Sequence, residues 1–284
     1  MPSSLIDALL SSTPARLPSR KMPTGLLLLD NMITGIPLSG VTLVVGDANR
    51  AVDMFMKQLA YQANEHVPSK YKCVADFSAP SPFTEVDVIG HVDFVEAISE
   101  IESPVFCLSS CSMSIEVRHF RFTMDAIKAR FCSGSENALV VYLDQQAGVP
   151  RPLVDLLVMH ATTVLKFTEM DSWSLDSLKR NCVKKQSVDF RDYTPTPSNG
   201  VRITVIKRPL SNSLLRTAYF PFNGNTLSDA QSVFYHLLES GQIVVCGVDV
   251  ENTYYCCSGI NKFTFDEWCD SFNDLRSLLV KKIR

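Results

Sequence analysis

The residues with the clearest chemical pattern follow an apolar run at 41–45 that ends in a glycine. A phosphate-binding loop reads Gly-x-x-x-x-Gly-Lys-Ser/Thr: its backbone N–H groups surround the phosphates, its lysine neutralises them and its hydroxyl holds Mg²⁺. Gly46 supplies the first glycine, but Ala51, Val52 and Asp53 stand at the positions of the second glycine, the lysine and the hydroxyl. An apolar side chain and a carboxylate there would not bind phosphates. The pattern therefore predicts a strand and loop that no longer hold ATP.

Arg50 is the positive charge nearest to this loop. It precedes the lysine position, which Val52 occupies, by two residues. Because a phosphate-binding lysine must stand at the start of the helix that follows the loop, we do not expect Arg50 to replace it.

The residues around this loop resemble those of the RecA/KaiC superfamily. Residues 22–25, Met-Pro-Thr-Gly, lead into a Leu-rich segment that ends at Asp30, and glycines at 35 and 40 precede the first core strand. Ala138–Asp144 is similar to the Walker B strand, an apolar run that ends in the acid that positions Mg²⁺. The resemblance implies a RecA-like α/β fold, with a mostly parallel central sheet, helices on both faces, antiparallel closing strands and a C-terminal helix.

The same resemblance implies that catalysis is absent. The segment 73–77 corresponds to the second core strand, after which active members carry a glutamate that activates water, and Ser78 stands in its place. We therefore expect a pseudo-ATPase with no catalytic residue, no metal and no cofactor of its own, so that any ATP would be bound by a partner subunit. The degenerate nucleotide site, or the subunit interface that replaces it, would comprise Gly46, Arg50, Val52, Asp53 and Asp144.

Positive charge is concentrated in one part of the chain. Nine Lys and Arg and two Asp and Glu lie between Lys179 and Arg216, a net charge of +7 in a chain whose net charge is −3. Phe190 and Tyr193 add aromatic faces on which bases could stack. This composition suits either single-stranded nucleic acid or an acidic protein partner. The candidate nucleic-acid-binding residues are Lys179, Arg180, Lys184, Lys185, Arg202, Lys207 and Arg208.

The resemblance leaves two main functions open. The first is a non-catalytic recombinase paralogue, which joins another paralogue in a heteromeric complex and promotes recombinase filament assembly or remodelling on single-stranded DNA in homologous recombination repair. Such a subunit would be nuclear, or nuclear and cytoplasmic. The alternative is an Elongator-type RecA-like subunit acting in transfer RNA wobble-uridine modification. A KaiC-like enzyme with residual nucleotide binding is a third, weaker reading.

Composition sets limits on the other classes. A chain of 284 residues with 46% hydrophobic and 20% charged residues predicts one large α/β core. The sequence contains no run of 18 apolar residues that could span a membrane. Nine cysteines form no Cys-x-x-Cys pair, and five histidines are scattered without ligand spacing. We therefore expect no metal site and no Cys/His nucleophile, with thiols acting as small buried hydrophobes in a reducing compartment.

Alternating elements would position these residues. We predict an N-terminal extension over 1–20 with a helix at 4–11, a RecA-like core over 21–225, and a helix-hairpin-helix addition over 226–284. Predicted helices cover 26–32, 51–64, 92–101, 114–131, 151–160 and 226–240, and one begins at Phe265. Predicted strands end at Gly46 and cover 73–77, 105–108, 138–144, 162–167, 201–208 and 217–222, followed by a hairpin at 242–259.

The last predicted helix carries an apolar stripe. Its members recur at three- and four-residue spacing after a capping box of Thr264 and Glu267. They are Phe265, Trp268, Cys269, Phe272, Leu275 and Leu279. The stripe predicts packing against the chain's own core or, alternatively, a docking surface for another subunit.

Overall fold

The computed structural model describes residues 20–77, 79–81, 83–85, 96–109, 120–132, 136–144, 151–170, 199–208, 213–248 and 252–283. Several predicted features lie outside this part of the chain. They are the helix at 4–11, the first residues of the helices at 92–101 and 114–131, Ser78, and the basic and aromatic residues between 179 and 193.

A small antiparallel pair, β1 (Lys21–Met22) and β2 (Ile36–Pro37), precedes the central sheet. Within the described residues, the central sheet has nine strands. These are β3 (Gly40–Gly46), β4 (Lys72–Ala75), β5 (Thr84–Glu85), β6 (Val105–Ser109), β7 (Ala138–Asp144), β8 (Ala161–Glu169), β9 (Gly200–Lys207), β10 (Thr217–Asn223) and β11 (Thr226–Leu227). Their spatial order is β11-β10-β9-β8-β3-β7-β6-β4-β5, in which β3 to β8 run parallel and β9 to β11 close one side antiparallel.

Helices cover both faces of this sheet. They are α1 (Leu27–Ile33), α2 (Asn49–His66), α3 (Phe120–Ile127) with a π-helical turn at Lys128–Cys132, α4 (Arg151–His160), α5 (Asp229–Glu239) and α6 (Phe265–Ile283). One buried apolar cluster joins α1, α2, α5 and α6 to the sheet, and a second joins α3 and α4 to the opposite face. Burial of this apolar surface on two faces provides the main stabilisation of the core. The predicted α/β class is confirmed, with a mostly parallel central sheet, helices on both faces, antiparallel closing strands and a C-terminal helix.

Strand β3 lies in the middle of the sheet. Val41, Leu43 and Val45 pack in the α3–α4 cluster, whereas Val44 packs in the α1–α2 cluster, so the strand is apolar on both faces. At its carboxyl end, Gly46 is in register with Asp144 of β7 and with Phe167 of β8. The ends of these three parallel strands therefore meet where ligands bind in open α/β sheets.

The C-terminal part differs from the predicted hairpin. Strands β12 (Ile243–Val248), β13 (Thr253–Cys257) and β14 (Ile260–Thr264) form a three-stranded antiparallel sheet, so the third strand was missed. The start of the preceding helix was also placed too early. Residues 226 and 227 pair with β10, and the Ser228 hydroxyl accepts from the Gln231 N–H as the N-cap of α5.

The apolar stripe of α6 packs on the chain's own core. Trp268, Phe272 and Leu279 are buried, and the Trp268 indole Nε1 donates to the Ala230 carbonyl at 2.9 Å. The predicted capping box is present, because the Thr264 N–H donates to the Glu267 carboxylate and the Glu267 N–H to the Thr264 hydroxyl. Of the two alternatives for the stripe, packing on the core is confirmed.

The prediction that all the cysteines are free thiols was wrong for one pair. Cys246 of β12 and Cys256 of β13 form a disulfide with their Cα atoms 5.9 Å apart. Cys256 pairs with Val244, so Cys246, two residues further along β12, lies diagonally across the strand pair from it, which cysteine spacing alone did not reveal. The other described cysteines are free, and burial raises the pKa of Cys107 well above its ordinary value.

Candidate functional site

The loop that joins β3 to α2 is too short to surround a phosphate. Strand β3 ends at Gly46 and α2 begins at Asn49, so only Asp47 and Ala48 lie between them. A phosphate-binding loop would continue to about the lysine position, occupied here by Val52, before its helix starts. Instead, the Val52 N–H already donates to the Ala48 carbonyl at 3.0 Å. The first turn of α2 thus takes the place of the loop, and the helix begins two residues earlier than the predicted Ala51.

Gly46 has a structural reason to be glycine. Its φ is +150°, and a Cβ at this position would lie 2.0 Å from the Phe167 carbonyl oxygen of β8. The close approach of the two strands therefore accounts for a glycine at this position, and a phosphate-binding role is not needed to explain it.

Tyr142 holds the closed loop in place. This residue of β7 is buried, and its hydroxyl lies 3.0 Å from the Gly46 carbonyl oxygen and 2.5 Å from Asn49 Oδ1. One phenolic hydrogen serves one of these oxygens at a time, but both contacts fix the end of β3 against the start of α2. The tyrosine thereby joins the end of β3 to the start of α2.

The residues at the degenerate motif positions are used by the fold. Ala51 and Val52 are buried in the core cluster of α1 and α2, so the lysine position faces the core. Asp53 is half-exposed and pairs with Lys57 one turn further on, at 2.9 Å. An exposed pair at this spacing stabilises a helix only slightly, and it leaves the carboxylate turned to the helix surface.

Arg50 links α2 to the turn between β10 and β11. Its Nη2 donates to the Gly224 carbonyl at 3.2 Å, and its guanidinium carbon lies 5.0 Å from the centre of the Phe222 ring. Hydrogen bonding and a cation–π contact therefore fix Arg50 on the closing strands.

The carboxyl edge of the sheet carries further polar groups. Strand β7 ends at Asp144, the residue at which the sequence predicted its end, in register with Gly46. Two neighbouring strands contribute a pair that was not predicted, in which the Ser109 hydroxyl at the end of β6 donates to Asp76 Oδ2, just after β4, at 2.5 Å. The role of Tyr142 could have been suspected from the sequence, because a tyrosine stands within the otherwise apolar Walker B-like strand. The Asp76–Ser109 pair depends on strand order, so no local sequence pattern indicates it.

The predicted nucleic-acid residues are only partly described. Lys179, Arg180, Lys184 and Lys185 lie outside the described residues. Arg202 is exposed on β9, level with Tyr219 and Thr168. Lys207 ends the same strand five residues later, about 16 Å away at the usual strand rise.

Arg208, another of the predicted nucleic-acid-binding residues, contacts backbone carbonyl groups of the chain itself. Its guanidinium donates to the carbonyl groups of Met32, at the end of α1, and of Ser213 and Leu215. These contacts hold the end of α1 against the segment before β10. Of the three described candidates, Arg202 and Lys207 are therefore separated along β9, and Arg208 is bonded to the chain's own backbone.

Within the described ranges, no three His, Cys, Asp or Glu residues are grouped closely enough to hold a metal ion, and no helix is long and apolar enough to cross a membrane.

No protein-family model matches the sequence, and no curated protein matches it. Among solved structures, the chain is similar to a KaiC-like protein from the hyperthermophilic archaeon Pyrococcus horikoshii OT3, at 13% sequence identity and a TM-score of 0.48. The match covers 74% of this chain and 98% of that protein. At this identity and TM-score, the similarity gives no information about activity or partners.

Proposed function

We propose that this chain is a non-catalytic RecA-fold subunit, a recombinase paralogue that acts through partner subunits in homologous recombination. The observation that carries the proposal is the closed loop, in which α2 starts at Asn49 and the Tyr142 hydroxyl contacts the Gly46 carbonyl. The first turn of α2 fills the space that a phosphate-binding loop would enclose, and the Val52 N–H donates within this helix.

Electrostatics support the same conclusion. Asp47 is exposed directly before α2, so it brings a negative charge to the helix end where a phosphate would bind. Val52 offers no ammonium group, and Arg50 is held on Phe222 and Gly224. A triphosphate would therefore meet a carboxylate and a closed backbone rather than a cationic cradle.

The charge segregation supports a role on nucleic acid. The net charge of +7 between Lys179 and Arg216, in a chain of net charge −3, would attract phosphates to one region. We propose that this region contacts single-stranded DNA within a heteromeric complex that assembles or remodels a recombinase filament.

Affinity purification of the tagged chain from its own cells tests the choice of pathway. We expect a second, ATP-binding recombinase paralogue and the recombinase itself to co-purify in stoichiometric amounts. Recovery of other Elongator subunits would instead assign the chain to transfer RNA modification.

Binding of a labelled single-stranded oligonucleotide by the purified complex tests the DNA contact. Reversing Lys179, Arg180, Lys184 and Lys185 to glutamate should weaken binding and reduce the salt slope, by about 0.7 for each phosphate that is no longer neutralised. The matched control reverses four exposed lysines elsewhere, Lys57, Lys72, Lys262 and Lys281, and should bind nearly as the wild type does. If the two sets of substitutions weaken binding equally, the proposal that residues 179–185 contact DNA is wrong.

A further inference from the structure

One face of the antiparallel side of the sheet carries two positive charges and three hydroxyl groups. Lys166 of β8 is in register with Thr204 of β9, and Thr168 of β8 is in register with Arg202 of β9. Thr204 also pairs with Thr217 of β10. Residues directly opposite one another share a face, so these five side chains lie on one face of three neighbouring strands. We call it the Lys166–Arg202 face.

This face is accessible to solvent. Arg202 and Thr217 are exposed, and Lys166, Thr168 and Thr204 are partly exposed. On the opposite face, the same strands contribute buried residues to the cluster that joins α1, α2, α5 and α6 to the sheet, namely Phe167, Ile203 and Ala218. Over this stretch, β8 to β10 are therefore packed on one face and available for contacts on the other.

The two cations of this face are not neutralised within the described chain. Neither Lys166 nor Arg202 has an ion-pair or hydrogen-bond partner for its side chain among the described residues. The acid at the end of β8, Glu169, is in register with the buried Val201 and so belongs to the opposite face. By their register, the two cations are diagonal neighbours with Cα atoms about 7–8 Å apart. Two uncompensated charges at this separation favour an anionic partner.

Threonine hydroxyls accompany these charges. The Thr217 hydroxyl donates to the Thr204 hydroxyl at 3.3 Å, which leaves the hydrogen of the Thr204 hydroxyl for another acceptor. Thr168 adds a third hydroxyl opposite Arg202. Lysine, arginine and threonine are side chains that contact phosphate and sugar oxygens in nucleic-acid complexes without reading the base sequence. The composition of the face therefore matches a sugar–phosphate backbone.

The face adjoins the most basic part of the chain. Strand β8 ends at Glu169 and β9 begins at Gly200, so residues 170–199 connect the two strands at the end that carries Thr168 and Arg202. That interval contains the four basic residues between 179 and 185 that are proposed above to contact DNA. The two cations of the face thus lie within four residues of its two ends.

The face lacks the apolar centre that is typical of protein–protein interfaces. Tyr219, which is in register with Arg202, is only 8% exposed. None of the large apolar residues that the described chain exposes belongs to β8, β9 or β10. Protein–nucleic-acid interfaces are more polar and more positively charged than protein–protein interfaces. These observations favour nucleic acid over an acidic protein.

We propose that the Lys166–Arg202 face binds the sugar–phosphate backbone of a single-stranded nucleic acid. Lys166 and Arg202 neutralise neighbouring phosphates, and the threonine hydroxyls donate to phosphate or sugar oxygens. No base is read on this face, so its contribution is independent of sequence. The inference rests on the proposed function, because it extends the DNA contact from residues 179–185 to the two strands that flank them.

Binding of a labelled single-stranded oligonucleotide at several salt concentrations tests this contact. The full chain is purified with the subunits that accompany it in cells. The double variant Lys166→Gln/Arg202→Gln should bind about threefold to tenfold more weakly than the wild type. Loss of two phosphate contacts should also reduce the salt slope by about 1.4, at about 0.7 for each contact. Oligonucleotides of different sequence should be affected equally.

Two matched variants separate the loss of charge from other effects. Lys166→Arg/Arg202→Lys keeps both charges and should bind nearly as the wild type does, and weakening equal to that of the glutamine variant would contradict the charge contact. Arg20→Gln/Lys72→Gln removes the same two residue types at exposed positions. Lys72 begins β4, and Arg20 lies beside the starts of β3 and β7, so this variant should leave binding and salt slope unchanged.

The outcomes distinguish this inference from the proposed function. Wild-type affinity and salt slope in Lys166→Gln/Arg202→Gln would overturn the inference, and the proposed function would stand if the four reversals between 179 and 185 still weaken binding. Unchanged DNA binding with loss of a co-purifying subunit would assign the face to a protein partner instead. Absence of oligonucleotide binding by the wild type would contradict both.

Discussion

The hydroxyl of Tyr142 lies 3.0 Å from the carbonyl oxygen of Gly46, so a side chain from β7 fixes the last residue of β3. In a nucleotide-binding fold, the backbone after this glycine curves away from the strand and its N–H groups face the phosphates. Here the chain enters α2 after two residues, and the tyrosine also contacts Asn49 of that helix. The end of β3 and the start of α2 are thus both held by one side chain of β7.

Removal of this hydroxyl should loosen the closed loop without creating a nucleotide site. Tyr142→Phe removes the hydroxyl that contacts the Gly46 carbonyl and Asn49, and we expect the free energy of unfolding to fall by about 1–2 kcal/mol. Urea denaturation measures the loss. Tyr61→Phe, at a tyrosine that is 65% exposed, is the matched control and should change stability by less than about 0.5 kcal/mol. Equal stability of the two variants would show that the hydroxyl does not hold the loop.

Restoring the missing lysine should fail to restore ATP binding. Val52 is only 1% exposed, so Val52→Lys buries an unpaired ammonium and should destabilise the chain by more than about 3 kcal/mol. Val52→Met, which is apolar but larger, should cost about 1–3 kcal/mol. Calorimetric titration with MgATP should show no binding by the wild type or by either variant that folds. A Val52→Lys variant of normal stability that binds MgATP would show that this position faces a phosphate site.

The fold was largely predictable because long apolar strands and helices leave a strong pattern in the sequence. The strand at Gly40–Gly46 and the acid-ending strand at Ala138–Asp144 appear where they were expected. What the pattern could not give was the start of α2. A phosphate-loop alignment assumes an open loop before the helix, whereas Ala48, without a side-chain cap, precedes a helix that begins at Asn49.

The contacts of the site depend on residues far apart in sequence. Gly46 and Tyr142 meet because β3 and β7 are neighbours, and Gly46 and Phe167 meet because β8 lies on the other side. The Cys246–Cys256 disulfide likewise depends on the register of β12 and β13. A single sequence gives residue types and local periodicity, and such pairings require the strand order.

The stability of the chain should fall as pH rises from about 4 to 7, because of a buried carboxyl at the junction of α1, α5 and α6. Burial raises the pKa of Asp229 to about 7, although the nearby Arg276 and the hydrogen bond from the Leu27 N–H act to lower it. The folded protein therefore holds a proton that the unfolded chain releases near its ordinary pKa of 3.8. Stability from this group is complete below that value and lost as pH rises through 7.

Asp229→Asn should flatten this part of the pH profile, because an amide accepts the same hydrogen bond without titrating. Chemical denaturation at several pH values between 4 and 8 measures the slope. Asp274→Asn, at an exposed acid of α6, is the control and should retain the wild-type profile. The same slope in Asp229→Asn and the wild type would contradict the assignment.

The disulfide between Cys246 and Cys256 should stabilise the C-terminal sheet. It closes a loop with a sequence separation of 10, for which the chain-entropy argument gives about 3 kcal/mol. We expect Cys246→Ser to lower the free energy of unfolding by roughly this amount without reductant, and to match the reduced wild type in dithiothreitol. A peptide map under non-reducing conditions shows directly whether the two cysteines are joined. If the peptide map shows two free thiols, the predicted loss of stability in Cys246→Ser has no cause.

Truncation of Trp268 should unfold the C-terminal part rather than weaken only a partner contact. The indole is 1% exposed, donates to the Ala230 carbonyl and lies 5.9 Å from the Phe234 ring of α5. Loss of a buried aromatic side chain usually costs about 3–5 kcal/mol, and we expect this for Trp268→Ala in urea denaturation. Leu278→Ala, at a 46% exposed position of the same helix, should cost much less. If α6 were a docking surface, the two variants would be equally stable and differ only in partner binding.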